Sequence, residues 1–377
     1  MVAITSGKLL ITGGSGYVGA WIVKSAVDRG YSVVAAPSEG SSSAYSVRTD
    51  AHGQFLVNRF PEYQGKVSYV LVPAIEKDGA YDEAVKDVDA IIPCCLSCGI
   101  QVGRPPRYRI LTPPSTYGTS TRLVIKRLAF QIEVLRPAIR GALGILESAH
   151  KFGKNIKRIV LTSSIAAVGD AIERDGKRTV WNTPATTQFE ALGKDTNPAM
   201  VYAASKTYAE QSSWAWIKEQ KPSWDLVTIL PPFIWGPYIH QPAKPHFGSS
   251  PGLLLDRIFT RPDTSGANYD DSCDVRDTAN IHVLALENPD AGGERVLVST
   301  DSFAWQDIYD IFHSAGFPNV NVPGKTTRGA GKQKTPSATS TAKGSQVVAR
   351  LQVSHVRVVD QGSGRTVGEG WISHYRQ

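Results

Sequence analysis

Four cysteines in 377 residues are too few for a disulfide scaffold, and their scarcity suits a reducing compartment. Cys95 and Cys98 form a lone C-x-x-C. Without a second pair or two spaced histidines it does not read as a zinc site, so these are incidental thiols and no metal is expected. No run reaches the roughly 18 apolar residues that a membrane-spanning helix needs. The first eight residues, Met-Val-Ala-Ile-Thr-Ser-Gly-Lys, hold no charged stretch followed by an apolar one, so no secretory signal is expected either. Compositional bias is also missing: 41% hydrophobic and 20% charged residues are ordinary for a globular chain and exclude disorder along its whole length. No internal repeat is present. The expectation is a soluble, cytoplasmic protein with no membrane partner.

Acidic residues are missing from one place in particular. Residues 94–131 hold six Lys or Arg and no Asp or Glu, and residues 321–377 hold nine against two acids. Together these segments exceed the net charge of +7, which leaves a mildly acidic body. A surface built for nucleic acid would weave its cations through the fold. Here they sit in two separate pieces, so no nucleic-acid partner is expected.

What is present alternates. Residues 8–12 read as a short buried strand, 17–29 as a helix stopped by Gly30, and 31–36 as a second strand. Further strands are expected at 67–72, 90–92, 158–162, 226–230 and 296–298. Helices are expected at 80–85, 134–152, 202–220 and 277–287. This alternation predicts an open, doubly wound α/β sheet. Residues 37–46 read as a polar loop, 94–131 as a long stretch without period, and the chain beyond Pro323 as a flexible tail.

Two motifs carry chemistry. Thr12-Gly13-Gly14-Ser15-Gly16-Tyr17-Val18-Gly19 is a T-G-x-x-G-x-x-G between the first strand and helix. Gly13 suits the tight turn, Gly16 admits a pyrophosphate close to the backbone, and Gly19 allows helix and sheet to approach. The phosphates would rest on N–H groups at the helix start. An NAD enzyme usually ends its second strand with an acid that binds the ribose hydroxyls. Here the strand ends Ala35-Ala36-Pro37, Glu39 falls in the polar loop, and Arg48 is the nearest cation for a 2′-phosphate. NADP(H) is therefore the expected cofactor.

The second motif is Tyr202-x-x-x-Lys206, following Thr162-Ser163-Ser164 at a strand end by about 40 residues. A Tyr and a Lys four apart share one helix face. The Lys206 ammonium would favour the phenolate of Tyr202 and make Tyr202 a usable proton donor to a carbonyl. Ser164 would hydrogen-bond the same oxygen. His240 and His246, near the expected substrate mouth, read as solvated loop residues, and Trp214, Trp216 and Trp235 as core mass.

With these motifs in place the chain resembles the extended short-chain dehydrogenase/reductases (NAD-dependent epimerase/dehydratase-like). The nearest group is that of dihydroflavonol reductases, cinnamoyl-CoA reductases and fungal NADPH-dependent aldehyde/ketone reductases. The resemblance rests on 12–19, 133–149, 158–168, 202–206, 230–237 and 274–287. It implies a Rossmann-type domain over 1–230, a smaller, split C-terminal substrate part over 231–320, and a tail over 321–377. It makes Ser164, Tyr202 and Lys206 the catalytic triad, with Lys206 and Tyr202 also touching the cofactor. It adds Ile75, Pro231 and Ser250 to the cofactor contacts expected of Thr12, Gly13, Ser15, Gly16, Tyr17, Val18, Gly19 and Arg48. The implied activity is NADPH-dependent reduction of an aldehyde or ketone, with a small-molecule carbonyl as partner; monomer and homodimer both stay open. The alternatives are a nucleotide-sugar or sterol epimerase/dehydrogenase on the same fold, and an impaired dinucleotide-binding protein or splice product.

The resemblance breaks at sharp edges. Residues 37–46 separate Ala36 from Val47-Arg48, Ala74 stands where an Asp is common, an insert over 94–132 follows the fourth strand, and 344–377 is unrelated to the family pattern. The expectation is that these segments are not shaped by this fold, as in unspliced or frame-shifted translation.

Overall fold

A computed structural model describes residues 3–36, 50–63, 65–72, 75, 77–94, 119–168, 181–192, 198–239, 250–259, 269–298 and 301–316. The 37–46 loop, Arg48, Ala74, the Cys95–Cys98 pair, His240, His246 and the 321–377 tail lie outside them.

Seven parallel strands form the main sheet. They are β1 (Lys8–Thr12), β2 (Ser32–Ala36), β3 (Val67–Tyr69), β4 (Ala90–Pro93), β5 (Arg158–Thr162), β6 (Asp225–Leu230) and β9 (Arg295–Leu297), in the order β3-β2-β1-β4-β5-β6-β9. The order reverses between β1 and β4, the crevice where doubly wound sheets take their ligands. The fold is Rossmann-type, as expected. Its strands are apolar on both faces because helices cover both. Leu9, Ile11 and Val160 face α1 (Tyr17–Asp28) and α7 (Val275–Glu287). The alternate residues Leu10, Ile159 and Leu161 face α3 (Thr119–Phe152) and α5 (Pro198–Gln220).

A second, three-stranded sheet joins β7 (Phe233–Trp235), β8 (Tyr269–Asp274) and β10 (Asp301–Ala304) in the order β10-β8-β7. Trp235, Phe303 and Trp305 pack there with Leu254 and Ile258 of α6 (Ser250–Phe259) and Tyr309 of α8 (Trp305–Ser314). Trp235 is core mass, as its composition suggested. After β8 the chain returns through α7 to β9 at the rim of the main sheet.

Three local expectations are corrected. Residues 78–87 form successive turns rather than a helix: Gly79 takes φ +72, and most bonds there span three residues. The helix-like spacing of Tyr81 and Val85 is real only as burial. The third strand ends at Tyr69, three residues early. The helix expected from 134 begins instead at Thr119, inside the insert, and runs 34 residues through Pro137. Four short helices were not expected from the sequence: α2 (Asp50–Asn58), α4 (Thr183–Leu192), α6 and α8.

Candidate active site

β1 ends in the glycine turn, which closes as its motif requires. Gly13 sits at φ +72 and donates its N–H to Ala36 O at 2.8 Å, while Gly16 N–H returns to Gly13 O at 2.8 Å. A Cβ on Gly19 would lie 2.0 Å from Gly13 O, so only glycine fits where α1 meets the turn. The start of α1 carries neither a capping side chain nor an acid in its first turn. Thr12 Oγ1 is buried without a partner at the strand end. An uncapped helix start with an orphaned hydroxyl beside it fits a dinucleotide pyrophosphate. Tyr17 turns its hydroxyl to Gly236 O (2.9 Å) and its ring to Tyr238 (4.7 Å between centroids), and Trp21 Nε1 donates to Pro237 O (2.8 Å). These contacts fasten the segment after β7 onto the helix that leaves the glycine turn.

At the ends of β5 and β6 the backbone of Ile165 donates to Pro231 O at 3.0 Å, which brings Ser164 and Pro231 to adjacent strand ends. Ser164 Oγ accepts from Ala166 N–H at 3.2 Å and caps a short 3-10 turn (Ile165–Ala167). That bond uses a lone pair and leaves the hydroxyl hydrogen for an acceptor in the crevice. Tyr202 packs with Ala166 of the same turn against Ala203 and Ala204. Lys206 is only 6% exposed, and its Nζ lies 5.8 Å from the centre of the Tyr202 ring. No carboxylate pairs with Lys206 among the described residues. The helix carrying the pair opens at Pro198, one turn before Tyr202, which corrects the expectation that Tyr202 begins it.

Thr162 and Ser163, just before Ser164, are each anchored by a helix. Thr162 Oγ1 meets His282 Nε2 of α7 at 2.8 Å, and Ser163 Oγ donates to Glu210 Oε2 of α5 at 2.6 Å. Burial pushes the His282 imidazole down to about 4, against a smaller opposing effect of its bond to Thr278 O. Burial likewise drives the Cys273 thiol up to about 12, so it stays protonated beside Thr278 Oγ1.

The structure thus brings Ser164, Tyr202, Lys206 and Pro231 to one end of the sheet, the same end as Thr12–Gly19. Ile75 is buried in the cluster that packs β1, β2 and β4 on α3. Ser250 opens α6 and is partly exposed. Sequence reasoning missed Ser163, Glu210, Arg295 and His282. Glu210 alone carried a signal, being four residues past Lys206 on the same helix. Among the described residues, no group of three or more His, Cys, Asp or Glu could hold a metal, and no helix is long and apolar enough to cross a membrane.

The profile of the NAD dependent epimerase/dehydratase family matches residues 125–299, beginning after the glycine turn. A Schizosaccharomyces pombe protein named as the putative uncharacterized oxidoreductase C513.07 is 33% identical over 320 residues, covering 83% of this chain and 84% of that protein. The ketoreductase azaE of Aspergillus niger is 30% identical over 312 residues, covering 81% of this chain and 82% of its own length. Among solved structures, the yeast methylglyoxal/isovaleraldehyde reductase Gre2 complexed with NADPH superposes with a TM-score of 0.69. It is 22% identical, over 91% of this chain and 93% of that one, so it speaks for the fold alone.

Proposed function

This chain belongs to the NAD dependent epimerase/dehydratase family, and from that premise we propose that it is an NADP-dependent oxidoreductase that reduces a small-molecule aldehyde or ketone to the alcohol. The observation that carries the reading is the buried Lys206 ammonium, unpaired by any described carboxylate and held beside the Tyr202 ring. A buried cation without a counter-ion is costly, and a reaction that leaves negative charge on the neighbouring phenol gives it a purpose.

The glycine turn Thr12–Gly19 at the start of α1 would hold the cofactor's phosphates, and Pro231, beside Ser164 at the strand ends, would contact the nicotinamide. β2 ends on Ala36 with no acid to contact a free ribose 2′-OH, and the yeast reductase of like fold was solved with NADPH. When bound, NADPH would supply the hydride but not the proton. The proton comes from Tyr202 Oη to the carbonyl oxygen, and Lys206 Nζ offsets the charge left on the phenolate. Ser164 Oγ donates to the same oxygen as charge builds there, the kind of positioned donor that favours a transition state over a ground state. Residues 231–320 contribute the substrate side, and the reaction runs in the cytoplasm. The ketoreductase relative favours reduction over nucleotide-sugar epimerisation.

The test is NADPH oxidation followed across a panel of aldehydes and ketones, with Tyr202→Phe as control. Loss of the general acid lowers turnover on the order of 100- to 10,000-fold, with NADPH binding retained. Turnover by Tyr202→Phe equal to wild type would refute the assignment.

A further inference from the structure

Glu210 has no place in the chemistry just described, yet it is the most heavily engaged carboxylate near it. Its side chain is 1% exposed. Oε1 accepts from Thr228 Oγ1 at 2.9 Å, from Arg295 Nε at 2.7 Å and from Trp214 Nε1 at 3.4 Å. Oε2 accepts from Ser163 Oγ at 2.6 Å and from Arg295 Nη2 at 3.2 Å. The Arg295 guanidinium in turn lies 4.0 Å over the Trp181 ring. Ser163 directly follows β5, Thr228 is in β6 and Arg295 opens β9, so one carboxylate ties a helix to two neighbouring strands and to the end of a third.

The helix it ties is the one that bears Tyr202 and Lys206. Tyr202, Lys206 and Glu210 follow at steps of four residues, each turning the helix face by only about 40°. Glu210 therefore lies along the same stripe, two turns further from the crevice. The residue it grips at the strand end is Ser163, next to Ser164. We propose that Glu210 is the positioning residue of this site: its bond to Ser163 sets the height of Tyr202 and Lys206 on α5 against Ser164 at the end of β5.

Stability alone is a weak explanation for such a network, because a buried ion pair is often matched by apolar residues of similar volume. The apolar contacts of α5 with the sheet, through Ala209 and Trp214, are non-directional and tolerate a small slide. The carboxylate does not, since each oxygen is held by donors from different strands. A displacement near 1 Å of one reacting group costs up to about 100-fold in rate, so a slide too small to unfold the protein is large enough to read.

The proposal rests on the reductase reading, and the experiment separates the two. Wild type, Ser163→Ala, Thr228→Val, Glu210→Gln and Tyr202→Phe are compared for kcat and KM at saturating NADPH, NADPH affinity by fluorescence, and melting midpoint. Ser163→Ala leaves the Glu210–Arg295 pair intact, so it keeps the test standing if Glu210→Gln fails to fold. Expected for Ser163→Ala is a fall in kcat on the order of 10-fold, with KM, NADPH affinity and melting midpoint little changed. Thr228→Val, which removes a bond to β6 but none to the catalytic strand end, loses less. An unchanged kcat in Ser163→Ala, whatever its melting midpoint, overturns the positioning role while leaving the reductase reading intact. A wild type that oxidises NADPH with none of the aldehydes and ketones of the panel overturns both.

Discussion

Acidification should weaken this protein through His282, and the size of the effect follows from where the imidazole sits. Its Nδ1 lies 2.7 Å from Thr278 O, which can only accept, so Nδ1 carries the proton and Nε2 accepts from the Thr162 hydroxyl. Both nitrogens are used, the ring is fully buried, and its pKa falls from 6.5 to about 4. In the unfolded chain the ring titrates near its ordinary value. Between the two values the unfolded state therefore binds a proton that the folded state refuses. The contribution is complete above pH 6.5, shrinks as the pH falls toward 4, and changes no further below that. Worked through, about 2 kcal/mol is lost between about pH 7.5 and about pH 5, and about 3 kcal/mol in all. Urea unfolding of wild type and His282→Gln at those two pH values reads it directly. Glutamine does not titrate, so the variant, less stable at neutral pH, should lose about 2 kcal/mol less than wild type on acidification. Parallel losses would mean that the buried ring takes up its proton without penalty, and the reasoning would be refuted.

Two further perturbations test the frame of the site. Gly19→Ala places a methyl 2.0 Å from Gly13 O, so quenching of intrinsic fluorescence by NADPH should vanish; quenching at wild-type concentrations would show that the turn does not seat the cofactor. Arg158, fully buried, donates to both Asp225 oxygens (2.6 and 2.9 Å) and to the carbonyls of Ala285 and Asn288 (2.7 and 2.5 Å). Arg158→Met strands these acceptors and should cost about 3 kcal/mol or more in urea unfolding; a cost below about 1 kcal/mol would show that the buried pair can be replaced by packing alone.

Local rules made much of this protein readable before any coordinates. The glycine turn was legible because Gly13 and Gly19 answer constraints set by residues a few positions away: a positive φ and a 2.0 Å approach to Gly13 O. The strands were legible because parallel strands covered on both faces are continuously apolar. The Tyr202–Lys206 pair was legible because helical spacing puts them on one face. Where several structures share one local signal, legibility failed. Tyr81 and Val85 have helical spacing but serve a run of turns, and the insert after β4 hid the start of α3 at Thr119.

Apart from the spacing of Glu210 behind Lys206, the support of the site was not readable. Ser163 and Glu210 are 47 residues apart, and Thr162 and His282 are 120 apart; each of these side chains could bond to any polar group that the fold happened to bring near. From the chain of letters came the phosphate turn, the alternation of strands and helices, and the phenol–ammonium pair, all products of short-range sterics and periodic burial. Which carboxylate holds that pair in place, and which histidine stays neutral beneath it, was decided only when the sheet order brought β5, β6, β9, α5 and α7 together, because a buried polar group takes its partner from whatever packing puts within reach.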